Sequence, residues 1–489
     1  MSTSAELTPS SSSFSDGSGS SSGRPAADAG DDGNIVQIYA GQLFDSEERR
    51  LLARRVLSVS RASGLIVDMR TYEEEEAQRV FGGIGGEDGE AGRGTVDLRR
   101  ETVLPGLVDA HVHFFLHPYA ETSWEDQVTK ESLVERTVRA TVHAKRTLLA
   151  GYTTVRDLGT EGAEDADIGL RKCLSGAHPL IPGPRYFCAT RALVPTGSYG
   201  PKSSLRVGQE GVDGITGAEV VDGVDECVKA VRRQIGAGAD WIKVRLHYRF
   251  RSRTADVAPL RSKGDFALFT KPELEAILAT AHGLGVKVAA HATLLSSLHG
   301  LAFDSVEHTV EMSTAHGSLS PTTTWVPTLA VYHTLSQGPG GKWERMVKTF
   351  KTAVDQGEDR IACGGDTGPF PHGDNALELQ LMVSLGADWK DVLWWATLGG
   401  WRCVRSMAWE GKAGEARLAR VHELGEDVRV VGDNEVPFGV FRKGFAADVI
   451  ATTGDLENDF KGAIWKDNIS FVMKGGKVYK KDGNEIVWV

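Results

Sequence analysis

Two hydrophobic patterns divide this chain. From about Asn34 to Thr102, runs such as IVQIYAGQLFD and LIVDMRTY alternate apolar and polar residues, which is typical of short strands. After Pro105, apolar runs alternate with helical patterns, which indicates parallel strands with helical crossovers. GFAADVIATTGD and ISFVMKGGKVYKKDG near the end return to strand patterning. We therefore predict a small β-sandwich module built from both chain ends, at 34–104 and 432–489, around an inserted unit at 105–431.

The inserted unit contains eight strand candidates, which are LVDAHVH, TTVRDLG, RYFCATRAL, DWIKVRL, KVAAHA, SVEHTV, TWVPTLAV and RIACGGDTG. Helical patterns lie between them. One, at 271–285, follows Thr270 as a capping residue and ends at Gly285. Another, at 131–150, carries on one face the apolar residues Leu133, Val134, Val138, Val142 and Leu149. Eight strand–helix units over roughly 300 residues predict an α/β fold of the (β/α)8, or TIM-barrel, type.

Composition excludes several classes of protein. The formal net charge of −11 argues against a nucleic-acid surface, which requires clustered basic residues. Residues 1–33 form a Ser- and Gly-rich tail without a basic start or an apolar segment, so we expect disorder rather than a secretory signal. No apolar run reaches the roughly 18 residues that a membrane span needs. Five widely spaced cysteines suit reduced thiols, so we expect a cytoplasmic protein. Since nucleic acid and membrane are both disfavoured as partners, we expect it to act on a small molecule.

The motif VDAHVH ends the first strand candidate with two histidines. Residues i and i+2 of a strand face the same side, so His111 and His113 could offer two nitrogens to one ion. A chain with 14 histidines also produces such pairs by chance, so this spacing alone leaves a ligand pair and a coincidence about equally open.

Three further candidates lie where a barrel would place its site. His291, His308 and Asp366 are near the ends of the fifth, sixth and eighth strand candidates, and barrel enzymes build their sites at the carboxyl ends of strands. Each residue alone would be explained as well by a core histidine or a turn aspartate. Together, neutral imidazoles and a carboxylate indicate zinc or a similar divalent metal.

Lys243 lies inside the apolar strand candidate DWIKVRL, where a charged ammonium group is costly. Burial favours its neutral amine, which can react with CO2 to give a carbamate, an anionic oxygen ligand. The alternatives are an ion pair with an acid on a neighbouring strand, or a side chain that reaches the rim of the barrel.

The set of motifs resembles the metal-dependent amidohydrolase superfamily from about Asn34 to the end of the chain. The motifs are LPGLVDAHVH, GYTTVRDLG, GADWIKV, VAAHA, VEHT, GGDTG, KGFAADVI and VMKGGKVY. Within the superfamily, PTGSYG and the stretch VDGVDECVKAVRRQIGAGADWIKV are most similar to the branch with binuclear Xaa-Pro and Xaa-Arg dipeptidases and ochratoxinase.

This resemblance implies a centre of two divalent metal ions, expected to be zinc. It implies that His111 and His113 bind the buried ion, that His291 and His308 bind the exposed ion, and that carboxylated Lys243 bridges both. Asp366 would complete the ligand set, and Asp109 would be a structural partner.

The reaction implied is hydrolysis of an amide or peptide-like bond, as in an N-acyl amino acid, a dipeptide or a mycotoxin-type amide. A metal-bridging hydroxide would attack the carbonyl, and Asp366 would carry its proton to the leaving amine. The alternatives are hydrolysis of a lactone, a cyclic amide or an aminated ring, or an inactive scaffold of the same fold.

Two loops depart from the expected pattern and predict the substrate contacts. TGSYG places Tyr199 where a histidine is expected, and the segment after the fourth strand candidate is basic and aromatic. In an extended segment one side would carry Arg245, His247, Arg249, Arg251 and Arg253, and the other Tyr248 and Phe250. Such cations could bind a substrate carboxylate, although a solvated loop or a subunit contact would also explain them. We also expect a homo-oligomer.

Overall fold

The computed structural model describes residues 34–82, 94–176, 178–200, 217–249, 265–311, 319–336, 341–426 and 434–486. The predicted N-terminal tail at 1–33 therefore lies outside the described residues. The first elements are β1 (Ile35–Asp45), β2 (Arg50–Ser60), β3 (Ile66–Thr71), α1 (Glu74–Phe81) and β4 (Thr95–Pro105).

The central part of the chain alternates strands and helices. As far as residue 249 its elements are β5 (Leu107–Val112), α2 (Trp124–Lys130), α3 (Leu133–Leu149), β6 (Tyr152–Asp157), α4 (Ala166–Leu174), β7 (Arg185–Cys188), β8 (Leu193–Val194), β9 (Glu219–Val220), α5 (Gly223–Ala237), β10 (Trp241–Arg245) and β11 (His247–Arg249). From residue 265 they are β12 (Asp265–Ala267), α6 (Lys271–Gly283), β13 (Lys287–Leu294), β14 (Ser305–Glu311), β15 (Thr324–Val326), α7 (Leu329–Leu335), α8 (Lys342–Asp355), α9 (Leu377–Ser384), α10 (Trp389–Trp395), α11 (Leu398–Val404) and α12 (Gly411–Ala419).

Strands from both chain ends share one sheet. The last elements are β16 (Val449–Thr452), α13 (Phe460–Ala463), β17 (Ile469–Lys474), β18 (Lys477–Lys481) and β19 (Asn484–Glu485). The sheet has the order β19-β18-β17-β16-β4-β1-β2-β3, and β16 joins the two chain ends by pairing antiparallel with β4. The sequence predicts a β-sandwich in this part of the chain. The hydrogen bonds connect its strands into one continuous eight-stranded sheet.

The central strands form parallel sheets. One has the order β5-β6-β7 and another the order β15-β14-β13-β10-β8-β9, and every pairing within them is parallel. Helices lie between several of the paired strands, namely α2 and α3 between β5 and β6, α4 between β6 and β7, α5 between β8 and β10, and α6 between β10 and β13. All residues of β5, β6 and β10 are buried, including the polar ones, as in parallel strands that are covered on both faces. The fold is therefore mixed α/β, with a part that is rich in β-sheet.

The eighth strand candidate, RIACGGDTG, is not a regular strand. Among the described residues it forms only isolated bridges, from Ile361 to Trp325 and from Thr367 to Val112. Asp366 has a φ of 57°, which interrupts extended geometry. The segment still follows β5, because the Asp366 N–H donates to the His111 carbonyl at 2.8 Å and the His113 N–H donates to the Thr367 carbonyl at 2.8 Å. The strand prediction is wrong here, but the segment lies beside β5.

Helix α6 begins as predicted. The Thr270 side chain and Glu273 form a capping box, and Gly285 has a φ of 77° just beyond the helix. Helix α3 is present too, but most of the apolar residues that were predicted to line its buried face point outward. Leu133, Val134 and Val138 are more than half exposed, whereas Arg136, His143 and Thr147 are buried. The pattern thus predicts the helix correctly and its buried face incorrectly.

All five cysteines carry free thiols. None of the helices in the described ranges combines the length and the apolar character that crossing a membrane requires.

Candidate metal centre

Strand β5 holds His111 and His113 in a fixed orientation. Nδ1 of His111 lies 2.9 Å from Oε2 of Glu307, and Nδ1 of His113 lies 2.7 Å from the Gly159 carbonyl oxygen. The Nε2 atoms face Asp366, whose Oδ1 lies 3.6 Å from His111 and 3.2 Å from His113. The period-two geometry of a strand brings both rings to one side. Each ring therefore presents Nε2 to the same point.

His308 and His291 complete the group of imidazoles. Single ligand atoms of His111, His308 and Asp366 lie within 4.8 Å of one another. The His308 ring centroid is 5.1 Å from that of His111 and 4.2 Å from that of His291. Nδ1 of His308 is 2.8 Å from Oγ1 of Thr328, which leaves Nε2 for the centre. The structure thus brings together histidines that are up to 197 positions apart in the sequence.

Lys243 lies in the middle of β10 with only 1% of its surface exposed. Its Nζ atom has no hydrogen-bond partner among the described residues. Burial lowers the pKa of Lys243 to about 7, so a large fraction of the amine is neutral near neutral pH. A neutral, buried and unpartnered amine is the form that can become a carbamate.

Burial and neighbouring charges shift the pKa values of the histidines and of Asp366 in different directions. Burial lowers the pKa of His111 to about 4, and burial also lowers the pKa of His291 and of His308 well below the usual range. These three imidazoles are therefore neutral, the form that binds metals. Burial opposes the charge on His113, but the Asp366 carboxylate outweighs it and raises the His113 pKa to about 9. Burial likewise disfavours ionised Asp366, but the hydrogen bond and the charge of His113 hold the pKa of Asp366 well below its usual range.

A buried ion pair behind His111 was missed by the sequence analysis. Arg156, in β6, donates to Oε1 of Glu307 at 2.8 Å and to the Ala110 carbonyl at 2.7 Å. Burial would raise the pKa of Glu307, but Arg156 and the bond to His111 keep it well below the usual range. The signal was available, because Arg156 is a charged residue inside a predicted strand of the inserted unit, as Lys243 is.

Asp109 lies beneath the centre. Its carboxylate accepts hydrogen bonds from the His111 N–H at 3.1 Å, the Gly365 N–H at 3.3 Å and the Asn375 side chain at 2.8 Å. Burial raises its pKa to about 7. Asp109 therefore connects β5 to the segment that carries Asp366, and it is placed as a structural partner.

A second buried group lies next to the histidines. Glu161, in the loop after β6, accepts hydrogen bonds from Arg245 at 2.5 Å, from Trp124 at 3.0 Å and from the Tyr199 hydroxyl. The Arg245 guanidinium carbon also lies 3.8 Å from the centre of the Tyr199 ring. Burial opposes the charge on Glu161, but Arg245 lowers its pKa. Sequence reasoning missed Glu161, since nothing in its local sequence marks it.

The remaining predicted substrate residues are placed only in part. His247 is buried at the start of β11, and the backbone of β11 pairs with β12 as a hairpin. The side chains of Tyr248 and Arg249 lie outside the described part of the structure, as do all of Phe250, Arg251 and Arg253.

Comparison with known proteins identifies the family. The model of the amidohydrolase family matches residues 102–406, which contain every predicted metal ligand. The chain belongs to the amidohydrolase family. This amidohydrolase is therefore a hydrolase that acts on carbon–nitrogen bonds.

Individual relatives narrow the comparison. The amidohydrolase is 27% identical to ochratoxinase of Aspergillus niger over 425 residues, which cover 80% of this chain and 78% of ochratoxinase. The crystal structure of A. niger ochratoxinase is similar with a TM-score of 0.68 and 23% identity, over 92% of this chain and 96% of that chain. The crystal structure of a Xaa-Pro dipeptidase with methionine bound in its active site is similar with a TM-score of 0.68 and 24% identity. The similarity covers 91% of this chain and 100% of that chain. These structures establish the fold.

The residues present fit the divalent metals that the amidohydrolase family generally uses. Nδ1 of His111 bonds Glu307, and Nδ1 of His113 bonds the Gly159 carbonyl, so the Nε2 atoms of both histidines are directed to the centre. Asp366 is an anionic oxygen donor, and the Lys243 amine is an orphaned buried polar atom. Imidazole nitrogen and carboxylate oxygen are a donor set suited to zinc.

Proposed function

We propose that this amidohydrolase uses two divalent metal ions to hydrolyse an amide or peptide-like bond. The class of substrate would be an N-acyl amino acid, a dipeptide or a mycotoxin-type amide. The observation that carries the proposal is the close approach of His111, His308 and Asp366, with ligand atoms within 4.8 Å, beside the unpartnered amine of Lys243. A binuclear centre needs a bridging anion, and a lysine carbamate would supply one.

We assign one ion to His111 and His113, and the other to His291 and His308. Carboxylated Lys243 would bridge the two ions, and Asp366 would complete the set. Zinc suits these donors best, because imidazole is a borderline ligand and the site holds several. When bound, such ions lower the pKa of water and polarise a substrate carbonyl.

Asp366 has the position and the charge for proton transfer. Its carboxylate stays ionised despite its burial, because the hydrogen bond and the charge of His113 hold its pKa low, so it can accept a proton from water. A weakly basic carboxylate also releases that proton readily to a leaving amine. Nε2 of His113 lies 3.2 Å from Oδ1 of Asp366, so both atoms face the same point of the centre.

We propose that the substrate end of the site is formed by Tyr199, Arg245, His247, Tyr248 and Arg249. Arg245 supports this, because its guanidinium donates to Glu161, whose charge acts on His113. A substrate carboxylate would have to share Arg245 with Glu161 or displace it. The relatives agree with an amide-like substrate, since one is named ochratoxinase and another is a Xaa-Pro dipeptidase.

We further propose that the parallel strands close into a (β/α)8 barrel. The segment that carries Asp366 supports closure on one side, because Ala362 N–H donates to Trp325 in β15 at 3.0 Å and Asp366 N–H donates to His111 in β5. On the other side, Asp240 N–H donates to Cys188 at the end of β7 at 2.9 Å.

A substrate screen tests the proposed reaction. Zinc-loaded protein is assayed against N-acyl amino acids, dipeptides and aryl amides, with lactones and aminated rings as comparison sets. The expected result is turnover of at least one amide set, which disappears after chelation and returns with zinc. Turnover of lactones or aminated rings alone would contradict the proposal.

A further inference from the structure

A stripe of apolar side chains runs along the outer face of α3. Val134, Val138 and Val142 recur at every fourth residue and therefore lie on one side of the helix. They are 73%, 58% and 42% exposed. Single exposed apolar side chains are ordinary on soluble proteins, whereas exposed apolar side chains that adjoin one another point to an interaction site. We call these three residues the α3 stripe.

The inner face of α3 keeps the stripe exposed. Arg136 donates to the Phe115 carbonyl at 2.9 Å and to the Thr160 carbonyl at 3.0 Å, and the His143 ring donates to the Phe114 carbonyl at 2.8 Å. Turning the helix to bury the valines would break these bonds and leave buried polar groups unsatisfied. Among the described residues, the stripe therefore stays uncovered and is available to a partner.

Charges at the two ends of the stripe have opposite signs. Glu135 and Arg146 are both exposed. They are eleven residues apart, close to three helical turns, so they project from the same side of α3. In an antiparallel pair of α3 helices with a two-fold axis between Val138 and Val142, Glu135 of each copy lies level with Arg146 of the other. Such a pair would be complementary both in shape and in charge.

We propose that the α3 stripe is the centre of a homodimer contact, covered by the α3 stripe of a second copy of this chain. A two-fold contact uses the same patch on both subunits, so the patch must be complementary to itself. The valines would form the apolar centre, and Glu135 and Arg146 would form its charged rim.

Sedimentation velocity of the full chain over a range of concentrations tests the proposal. The wild type should form a dimer, or a larger assembly with an even number of subunits. Val142→Glu should raise the dissociation constant at least about tenfold, because it places a charge in the apolar centre. Val224→Glu is the matched control, since Val224 is a valine on α5 with the same 42% exposure, and it should leave association unchanged. A monomeric wild type, or equal association by Val142→Glu and the wild type, would overturn the proposal.

A charge reversal tests the register of the two helices. Glu135→Arg should weaken association, and adding Arg146→Glu to the same chain should restore it. The two positions lie about 16 Å apart along one helix, too far to pair within a chain, so restoration requires a second copy. If the double variant associates no better than Glu135→Arg, the antiparallel α3 pair is excluded. Folding is checked by circular dichroism of every variant.

Discussion

Nδ1 of His111 lies 2.9 Å from Oε2 of Glu307, whose other oxygen lies 2.8 Å from Arg156. Both partners of Glu307 are completely buried, so the contact joins β5, β6 and β14 in the protein interior. The bond places the proton of His111 on Nδ1 and leaves the Nε2 lone pair for the metal centre. Glu307 therefore determines which nitrogen of His111 can bind a metal.

Glu307→Gln should lower the metal affinity of the His111 site about 10- to 100-fold, the range for losing a carboxylate partner of a ligand histidine. The measurement is a chelator competition followed by elemental analysis. Glu410→Gln is the control, because Glu410 also pairs with two cations, Lys287 and Arg405, but away from the centre. Equal affinities of Glu307→Gln and Glu410→Gln would remove this role of Glu307.

Lys243→Ala should reduce the metal content from about two ions per chain to one or fewer, because the bridging ligand is lost. Activity should fall with it, and short carboxylic acids should restore part of both. Lys474→Ala is a matched control, since burial also lowers the pKa of Lys474 to about 7 while its Nζ bonds the Gly183 carbonyl at 2.6 Å. This control should keep its metals. Full metal content in Lys243→Ala would show that Lys243 is not a ligand.

Asp366→Asn keeps the shape of the side chain and removes the proton acceptor. We expect kcat to fall by roughly 10²-fold or more, the usual loss for a general base, with little change in unfolding temperature. Asp374→Asn, which breaks a surface pair with Lys466, should retain wild-type kcat. Steady-state kinetics of both variants test whether Asp366 transfers the proton. A fully active Asp366→Asn enzyme would show that another residue does so.

His143 should make the fold sensitive to acid. Burial lowers its pKa from 6.5 to about 4, so the unfolded chain binds a proton between these values and the folded chain does not. The free energy of unfolding should therefore fall as the pH drops from about 6.5 to about 4, by at most roughly 1.4 kcal/mol per pH unit for this one proton. His143→Asn retains a donor and should flatten that slope. Denaturant titrations at several pH values measure it, and an unchanged slope would exclude His143 as a source.

Arg245 should give the enzyme a preference for substrates with a free carboxylate. Replacing that carboxylate by an amide should cost at least about 1.5 kcal/mol in kcat/KM if Arg245 donates a charge-assisted bond. Arg245→Ala should lose most of this difference, whereas Arg233→Ala, on the surface of α5, should keep it. If Arg245→Ala discriminates as well as the wild type, Arg245 serves only to hold Glu161.

Local sequence patterns located several of the central strands and the candidate ligands on them. The alternation of a strand puts His111 and His113 on one side whatever surrounds them, and β5, β6, β10, β13 and β14 all lie at predicted apolar runs. A lysine within an apolar strand marks an unusual environment by itself, because burying an ammonium group is costly. These features depend on the alternation of side chains along a strand and on residue type, and both can be read from a local stretch of sequence.

Tertiary structure alone decided the contacts between distant segments. The pairing of Glu161 with Arg245 joins residues 84 positions apart, and neither residue specifies its partner locally. Helix α3 is the clearest example. Its valines predicted an inward apolar face, yet its buried face carries Arg136 and His143, because the loops after β5 and β6 present backbone carbonyls to which these side chains donate. The sequence of α3 determined that a helix forms, and the unsatisfied carbonyls of other segments determined which side of it is buried.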